Sequence, residues 1–167
     1  SASAPMTATL ALENSLPGRW DEGRAPLQRL TAEVRGRMDQ PGRLELPQFD
    51  LLLADSTRSA GRITGGATWQ DHALSLQAQI TGVTPQRLDS RAAAMLLSGP
   101  VSFNIAGLPS PDPGASSKPP PQRAEWKADL QGTLEAAPQP VRLEMQGSLD
   151  DQGLDLPRVR LSSGAAS

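Results

Sequence analysis

The sequence predicts an all-β protein: an open, elongated and curved sheet, mostly antiparallel, that forms an apolar groove and carries one short helix. Apolar residues recur at every second position through much of the chain, as in strands with one buried face. Leu, Ile, Val and Phe make up just under a fifth of the residues, so the core must be thin. The 15 glycines and 16 prolines fall mostly between the alternating runs, where they mark turns.

The segment Gly61–Val83 shows this alternation most completely and predicts a β-hairpin. With residues 70–73 as its loop, the apolar residues of the two strands pair across it: Trp69 with Leu74, Ala67 with Leu76 and Ile63 with Ile80. One face of the hairpin is therefore apolar and the other polar.

Shorter or weaker runs predict the other strands, at 6–13, 27–38, 44–53, 101–105, 124–134, 141–149 and from 154 onward. The run 27–38 also has helical spacing, which leaves a helix open there. Between the first two runs lies a turn-rich loop. We expect its Trp20 to plug one end of the sheet, with stacking on a ligand as the alternative.

The run 44–53 contains a proline at which the apolar parity changes. Leu44 and Leu46 precede Pro47 at even positions, whereas the apolar residues after it are at odd positions. A proline at such a switch predicts a β-bulge. The same pattern, LxLP followed by alternating apolar residues, recurs at 154–161 and makes a weak internal repeat.

The one predicted helix follows the hairpin. Pro85 suits a first helical position, and four apolar residues share a helix face that ends near 98–99: Leu88, Ala92, Met95 and Leu96. We expect this helix to cap the sheet. A helix lying on a membrane surface is the alternative, although only Arg87 and Arg91 supply its positive charge.

Two C-terminal hairpins complete the predicted meander. A loop at 135–140 pairs Leu134 with Val141 and Leu130 with Met145, and a loop at 150–153 pairs Leu149 with Leu154. The apolar side of all these strands, called the inner face below, is predicted to consist of Leu44, Leu46, Leu51, Leu53, Ile63, Trp69, Leu74, Leu76, Ile80, Val101, Phe103, Ile105, Trp126, Leu130, Leu134, Val141, Leu143, Met145, Leu149, Leu154 and Leu156.

Composition argues against several functions. The 16 basic and 18 acidic residues give a net charge of −2, so nucleic acid is not an expected partner. The chain has no cysteine and one histidine, His72, which falls in the predicted hairpin turn. Neither a metal site nor a Ser-His-Asp site is therefore expected. We predict a protein that is not an enzyme and has no cofactor.

Residues 1–167 are predicted to form one segment of a longer protein, because the first residues resemble neither an initiator methionine nor a signal peptide. No apolar run is long enough to cross a bilayer as a helix. Residues 108–122, LPSPDPGASSKPPPQ, lack apolar periodicity and are predicted to form a flexible Pro-rich loop.

Three stretches resemble the TamB family, within the AsmA-like group: NSLPGRWDEGRAPLQRL (14–30), ADSTRSAGRITGGATWQDHALSLQAQITGV (54–83) and LSGPVSFNIAG (97–107). The shared features are an N-x-x-P-G-x-x-D-x-x-x-x-P-L turn and repeated G-x-φ-x-G-x-φ-x-W strands, and residues 108–122 match no part of them. The resemblance implies a β-taco-like groove in the periplasm of a Gram-negative bacterium. It also implies an inner-membrane anchor and an Omp85-type outer-membrane barrel partner, both engaged through other parts of the full protein.

This resemblance implies one function, and the open sheet adds an alternative. In the first, the inner face binds phospholipid acyl chains and conducts them between the inner and outer membranes, which links the protein to outer-membrane biogenesis. In the second, the sheet is a scaffold or chaperone that assists outer-membrane protein assembly by adding strands at its open edges. With its edges uncovered, the isolated chain is also expected to self-associate.

Removal of residues 110–121 is expected to leave thermal stability nearly unchanged, because a Pro-rich segment without apolar periodicity buries little area. Differential scanning calorimetry of the full and shortened chains measures this directly. A loss of many degrees in melting temperature would show that the segment is packed.

Overall fold

The structure, a computed structural model, describes residues 4–109, 114 and 121–164. Within these residues, nine strands form one antiparallel sheet whose spatial order is the sequence order, and its two edge strands do not pair with each other. The strands are β1 (Pro5–Glu13), β2 (Leu27–Arg37), β3 (Gln40–Ala54), β4 (Ser59–Gln70), β5 (Ala73–Val83), β6 (Met95–Ala106), β7 (Arg123–Leu134), β8 (Pro140–Asp150) and β9 (Gly153–Ser163). The prediction of an all-β, open antiparallel sheet is confirmed.

The β4–β5 hairpin has the predicted register. Trp69 pairs with Leu74, Ala67 with Leu76 and Ile63 with Ile80. The turn is tighter than predicted: Gln70 and Ala73 pair with each other, which leaves only Asp71 and His72 as the turn. Asp71 adopts a positive φ of 54°, as a two-residue hairpin turn requires.

A β-bulge interrupts β3 where the proline predicts it. Leu46 pairs with Ala67 and Phe49 with Gly65, so two residues of β3 lie opposite the single residue Gly66. The repeated LxLP motif produces a second bulge, because two residues of β9 lie opposite Gly147 of β8. In both strands the extra residue returns the apolar side chains to the same face.

The predicted helix is far shorter than its spacing indicated. Helix α1 spans only Pro85–Leu88, and β6 begins at Met95. Pairing of Met95 with Leu134 and of Leu97 with Val83 gives this segment ladder hydrogen bonds and buries both apolar side chains. These tertiary contacts outweigh the local helical spacing. A single helical turn also cannot form the membrane-surface helix considered as an alternative.

The predicted register of β7 with β8 is wrong by two residues. Thr133 pairs with Pro140, so Val141 pairs with Gly132 rather than with Leu134, and Leu130 pairs with Leu143 rather than with Met145. Leu134 instead lies opposite Met95 on its other side. A shift of two residues preserves the face of every side chain. The predicted pairing of Leu149 with Leu154 is confirmed.

Trp20 does not plug the sheet. It lies in a 3-10 turn, Trp20–Glu22, and is 62% exposed. The turn is fixed by Arg19, whose side chain bonds Glu22, and by Asp21, which accepts hydrogen bonds from Ser90. The polar neighbours of Trp20 thus hold the loop, and its indole stays in solvent. Most of the Pro-rich segment 108–122 lies outside the described residues.

The core lies on one side of the curled sheet. One buried cluster joins Ala32 of β2, Phe49 of β3 and Ala78 of β5, which come from strands that are not all neighbours. A second cluster joins Met95 and Leu97 of β6 with Leu130 of β7 and Val141 of β8. Side chains from separated strands meet because the sheet curves towards its apolar side.

Glycines permit this curvature by bringing adjacent strands unusually close. A Cβ atom on Gly132 would lie 1.5 Å from the carbonyl oxygen of Leu96 in β6, and one on Gly65 would lie 2.1 Å from the carbonyl oxygen of Gln77 in β5. Both contacts are with the backbone, which cannot rotate away as a side chain can. Both glycines are therefore sterically required.

The substitution Gly132→Ala is expected to lower the free energy of unfolding by about 2–3 kcal/mol, because the new methyl group must displace the neighbouring strand. Gly36→Ala is the matched control, since its Cβ would come no closer than 3.1 Å to a Leu44 methyl group, with the Arg43 carbonyl oxygen at an ordinary contact distance of 3.9 Å. Urea unfolding of the two variants tests this, and equal losses would contradict the steric explanation.

Candidate functional site

The antiparallel register aligns the apolar residues into rows that cross the sheet from strand to strand. One row runs Leu44, Trp69, Leu74, Ile105, Ala124, Leu149 and Leu154. Another runs Leu12, Leu30, Leu51, Ile63, Ile80 and Gly99. Directly paired residues project to the same face. The rows therefore form one continuous apolar surface perpendicular to the strands.

All the residues predicted for the inner face lie on this surface. Leu156 is in the β9 bulge, where its Cδ2 would be 2.8 Å from a Cβ on Gly147. Other residues lie there too and were missed: Leu10, Leu12, Leu30, Phe49, Met95, Leu97, Val159 and Leu161. The proline-linked change of parity could have identified Phe49, Val159 and Leu161, whereas the predicted helix concealed Met95 and Leu97.

The inner face is closed at its centre and open at its edges. Leu97 and Val141 are each only 4% exposed, whereas Leu154 and Leu161 of β9 are 60% and 61% exposed. At the other edge Leu10 and Leu12 of β1 are about half exposed. Because residues in the middle strands have neighbours on both sides and across the curve, the most exposed apolar side chains of the inner face lie in β1, β8 and β9.

Two aromatic rings cover the middle of the row next to Trp69. Phe103 and Trp126 pair directly across β6 and β7, and their rings stack with centroids 6.5 Å apart. The Trp126 indole lies over Gly147, where a Cβ would be 2.5 Å from its Cζ2 atom. The glycine thus makes room for a flat aromatic surface on the inner face.

Trp69 has a buried donor without an acceptor. Its indole Nε1 is inaccessible to solvent and has no hydrogen-bond partner. The cross-strand neighbours of Trp69 on the inner face, Leu44 and Leu74, have no side-chain acceptor. An unsatisfied buried donor costs about 1–3 kcal/mol, so the shape of Trp69, rather than its polarity, suits this position.

The opposite face of the sheet is charged and internally paired. Arg62 bonds Asp50 across β3 and β4, and this hydrogen bond lowers the pKa of the Asp50 carboxyl. Arg142 bonds Asp129 across β7 and β8 at 3.1 and 2.9 Å, which lowers the pKa of Asp129 in the same way. These pairs are solvent-exposed, and they make this face polar in contrast to the inner face.

A depression of about 680 Å³ lies on the charged face, above strands β4 to β9. Its polar lining includes Lys127, Asp129, Glu144, Gln146 and Arg158. A twisted sheet is saddle-shaped and is therefore concave on each face along a different diagonal. The charges in the depression have mixed signs, so it does not select for a ligand of either charge.

The described parts of the chain contain no group of three or more His, Asp or Glu side chains that could hold a metal ion. His72 lies in the β4–β5 turn, as predicted, and its Nδ1 is 2.7 Å from the Leu108 carbonyl oxygen. The Leu108 amide donates in turn to the His72 carbonyl oxygen, at 3.0 Å. His72 thus ties the turn to the end of β6. The described helices are all too short and too polar to span a membrane.

Comparisons with known proteins give no assignment: no family model, curated protein or solved structure matches the chain.

Trp69→Phe is expected to change the free energy of unfolding by less than about 1 kcal/mol, because loss of the orphaned N–H offsets the loss of buried area. Trp69→Ala should cost about 2–3 kcal/mol, since it leaves a cavity on the inner face. Urea unfolding measures both. Trp126→Phe is the control: it removes stacked area without removing an orphaned donor, and it should cost more than Trp69→Phe.

Proposed function

We propose that this chain is a segment of a non-enzymatic groove protein whose inner face carries phospholipid acyl chains. The observation that supports this most strongly is the set of apolar rows, which run across the strands along the length of the sheet. An acyl chain lying along a row meets hydrocarbon at each strand in turn. Non-directional apolar contact holds such a chain without fixing it at one position.

The dimensions and energetics suit this ligand. Nine strands about 4.8 Å apart give the rows a length of roughly 40 Å, which exceeds that of an extended acyl chain. Burial of sixteen methylene groups at about 0.8 kcal/mol each has an upper limit of about 13 kcal/mol. At the half-exposed edges the gain is smaller, so a lipid there binds weakly enough to move on.

The closed centre supports different roles for different parts of the inner face. Entry occurs at the exposed leucines of β1, β8 and β9, and an acyl chain reaches the centre by displacing the packed side chains around Leu130 and Val141. Cores made from a single curved layer bury little area per residue, which makes such a displacement inexpensive.

The sequence resemblance to the TamB family supports the proposal that this activity takes place in the periplasm of a Gram-negative bacterium, between an inner-membrane anchor and an Omp85-type barrel partner contacted by other parts of the protein. The charged, ion-paired outer face is compatible with an aqueous compartment. In this setting the inner face forms part of a lipid path that contributes to outer-membrane biogenesis.

The two unpaired edges favour a second candidate function. Within the described residues, strands β1 and β9 each have one side without a pairing strand, and every residue of both strands is exposed. Such edges accept an added strand through backbone hydrogen bonds. A scaffold that assists outer-membrane protein assembly would use these edges and would not need the inner face.

Photo-reactive residues placed singly at Leu12 and Leu149 are expected to crosslink to phospholipid when the purified chain is mixed with lipid vesicles. Residues placed at Ala11 and Ser148 should not, because adjacent positions of a strand project to opposite faces. Mass spectrometry of the crosslinked protein identifies the adduct. The parallel comparison of Trp126, Ala128 and Leu130 with Lys127, Asp129 and Gln131 examines the centre of the face.

Equal labelling at both parities would contradict the acyl-chain proposal. If lipid labelling is absent while a strand peptide from an outer-membrane barrel still binds, the scaffold function is favoured instead. Circular dichroism of each variant establishes that it folds.

A further inference from the structure

Strand β9 has the composition of an interior strand but the environment of an edge. Its inner-face residues Leu154, Leu156, Val159 and Leu161 are 47–61% exposed, although their paired neighbours in β8 continue the apolar rows. Its outer-face residues are charged: Asp155, Arg158 and Arg160. Among the described residues, none of these three side chains forms an ion pair. Both faces of β9 therefore lack the neighbour that interior strands have.

The backbone of β9 is also ready to pair. The Gly164 amide donates to the Pro140 carbonyl oxygen, so the backbone groups of Gly164 point towards β8. Successive residues of a strand point their N–H and C=O groups alternately towards and away from the neighbouring strand. The groups of Val159 and Leu161 therefore point away from β8. The two-residue turn after Asp150 likewise leaves those of Leu154 directed outward. Pro157 has no N–H, but it lies in the bulge, where the ladder is already interrupted.

Two antiparallel copies of β9 match each other in both apolar and charged residues. Such copies can meet with Arg158 opposite Arg158. If the bulge residues Leu156 and Pro157 together occupy one ladder position, as they do opposite β8, Leu154 then lies opposite Leu161 and Leu156 lies opposite Val159, all on the inner face. Asp155 then lies opposite Arg160 on the outer face, twice by symmetry. Opposite charges at directly paired positions favour a register, and the two Asp–Arg pairs outnumber the single contact between the two Arg158 side chains.

We infer that, in the chain of residues 1–167, β9 is a self-complementary edge that pairs with β9 of a second copy about a twofold axis normal to the sheet. This axis makes the two strands antiparallel and keeps both inner faces on the same side. The dimer is one sheet of twice the width with uninterrupted apolar rows. This pairing follows from the edge geometry and does not depend on lipid binding.

No comparable self-pairing is encoded at the other edge. The outer-face residues of β1 are Pro5, Thr7, Thr9, Ala11 and Glu13, which contain a single charge and so cannot form an opposite-charge pair with a copy. The charge pattern therefore selects β9 over β1 as the dimer interface.

Charge reversal tests the proposed register. The wild-type chain should sediment as a dimer in analytical ultracentrifugation, and Arg160→Asp should raise the dimer dissociation constant roughly tenfold or more, because each copy then places Asp155 opposite another carboxylate. Asp155→Arg should do the same. The double variant Asp155→Arg with Arg160→Asp should restore the dimer, because the pairs are only exchanged.

This restoration also controls for folding, since a variant that merely misfolds is not rescued by a second charge change. A monomeric wild type, or a dimer insensitive to these substitutions, would overturn the inference. A dimer that depends on the β1 edge would do so as well.

Cysteine crosslinking gives a second test, because the chain contains no cysteine of its own. Arg158→Cys places one thiol from each copy opposite the other at the twofold axis, so mild oxidation should give a disulfide-linked dimer. Arg160→Cys lies opposite Asp155 of the second copy and should remain uncrosslinked. Crosslinking of both variants to the same extent would show random collision rather than this register.

Discussion

The antiparallel register is the constraint on which the rest of this structure depends. When the pairing register of a strand slips by one residue, every side chain moves to the opposite face. In a single-layer sheet, the apolar side chains moved in this way would have no second layer to pack against and would face solvent. Here the register must be maintained through nine consecutive strands. The bulges at Pro47 and in β9 are essential to it, since each inserts one residue where the sequence itself changes parity.

Curvature follows from that register. Once the apolar residues share a face, a flat sheet would leave all of them half exposed. Glycines such as Gly65 and Gly132 let adjacent strands approach closely enough for the sheet to curl, which buries Ala78 and Val141 against side chains from other strands. The edges cannot benefit in this way, because each edge strand has a neighbour on only one side. The difference between the closed centre and the open edges is thus a direct result of the geometry.

Most of this architecture could be predicted because it is determined by residues that are close together in the sequence. In the hairpin, apolar and polar residues alternate on either side of a turn, and this alternation predicts the pairing of Trp69 with Leu74. Pro47 lies at the β-bulge that it predicts. The errors arise where the deciding contacts are distant in sequence. Met95 has helical spacing with Leu88, but Met95 and Leu97 are both extended because β5 and β7 pair with this segment. Leu134 pairs with Met95 of β6 while Val141 lies opposite Gly132, a register of β7 with β8 that no nearby residue reveals.

The order of the strands has a consequence for how the protein assembles. Each strand pairs with the strand before and the strand after it in the chain, so no pairing waits for a distant segment to be made. Sheets built in this way resemble linear arrays, in which each unit is stabilised by its nearest neighbours and order can spread from one hairpin to the next. A chain with this strand order can therefore fold progressively as it is synthesised. Under tension it would unravel from the ends, one strand at a time, without first losing its middle.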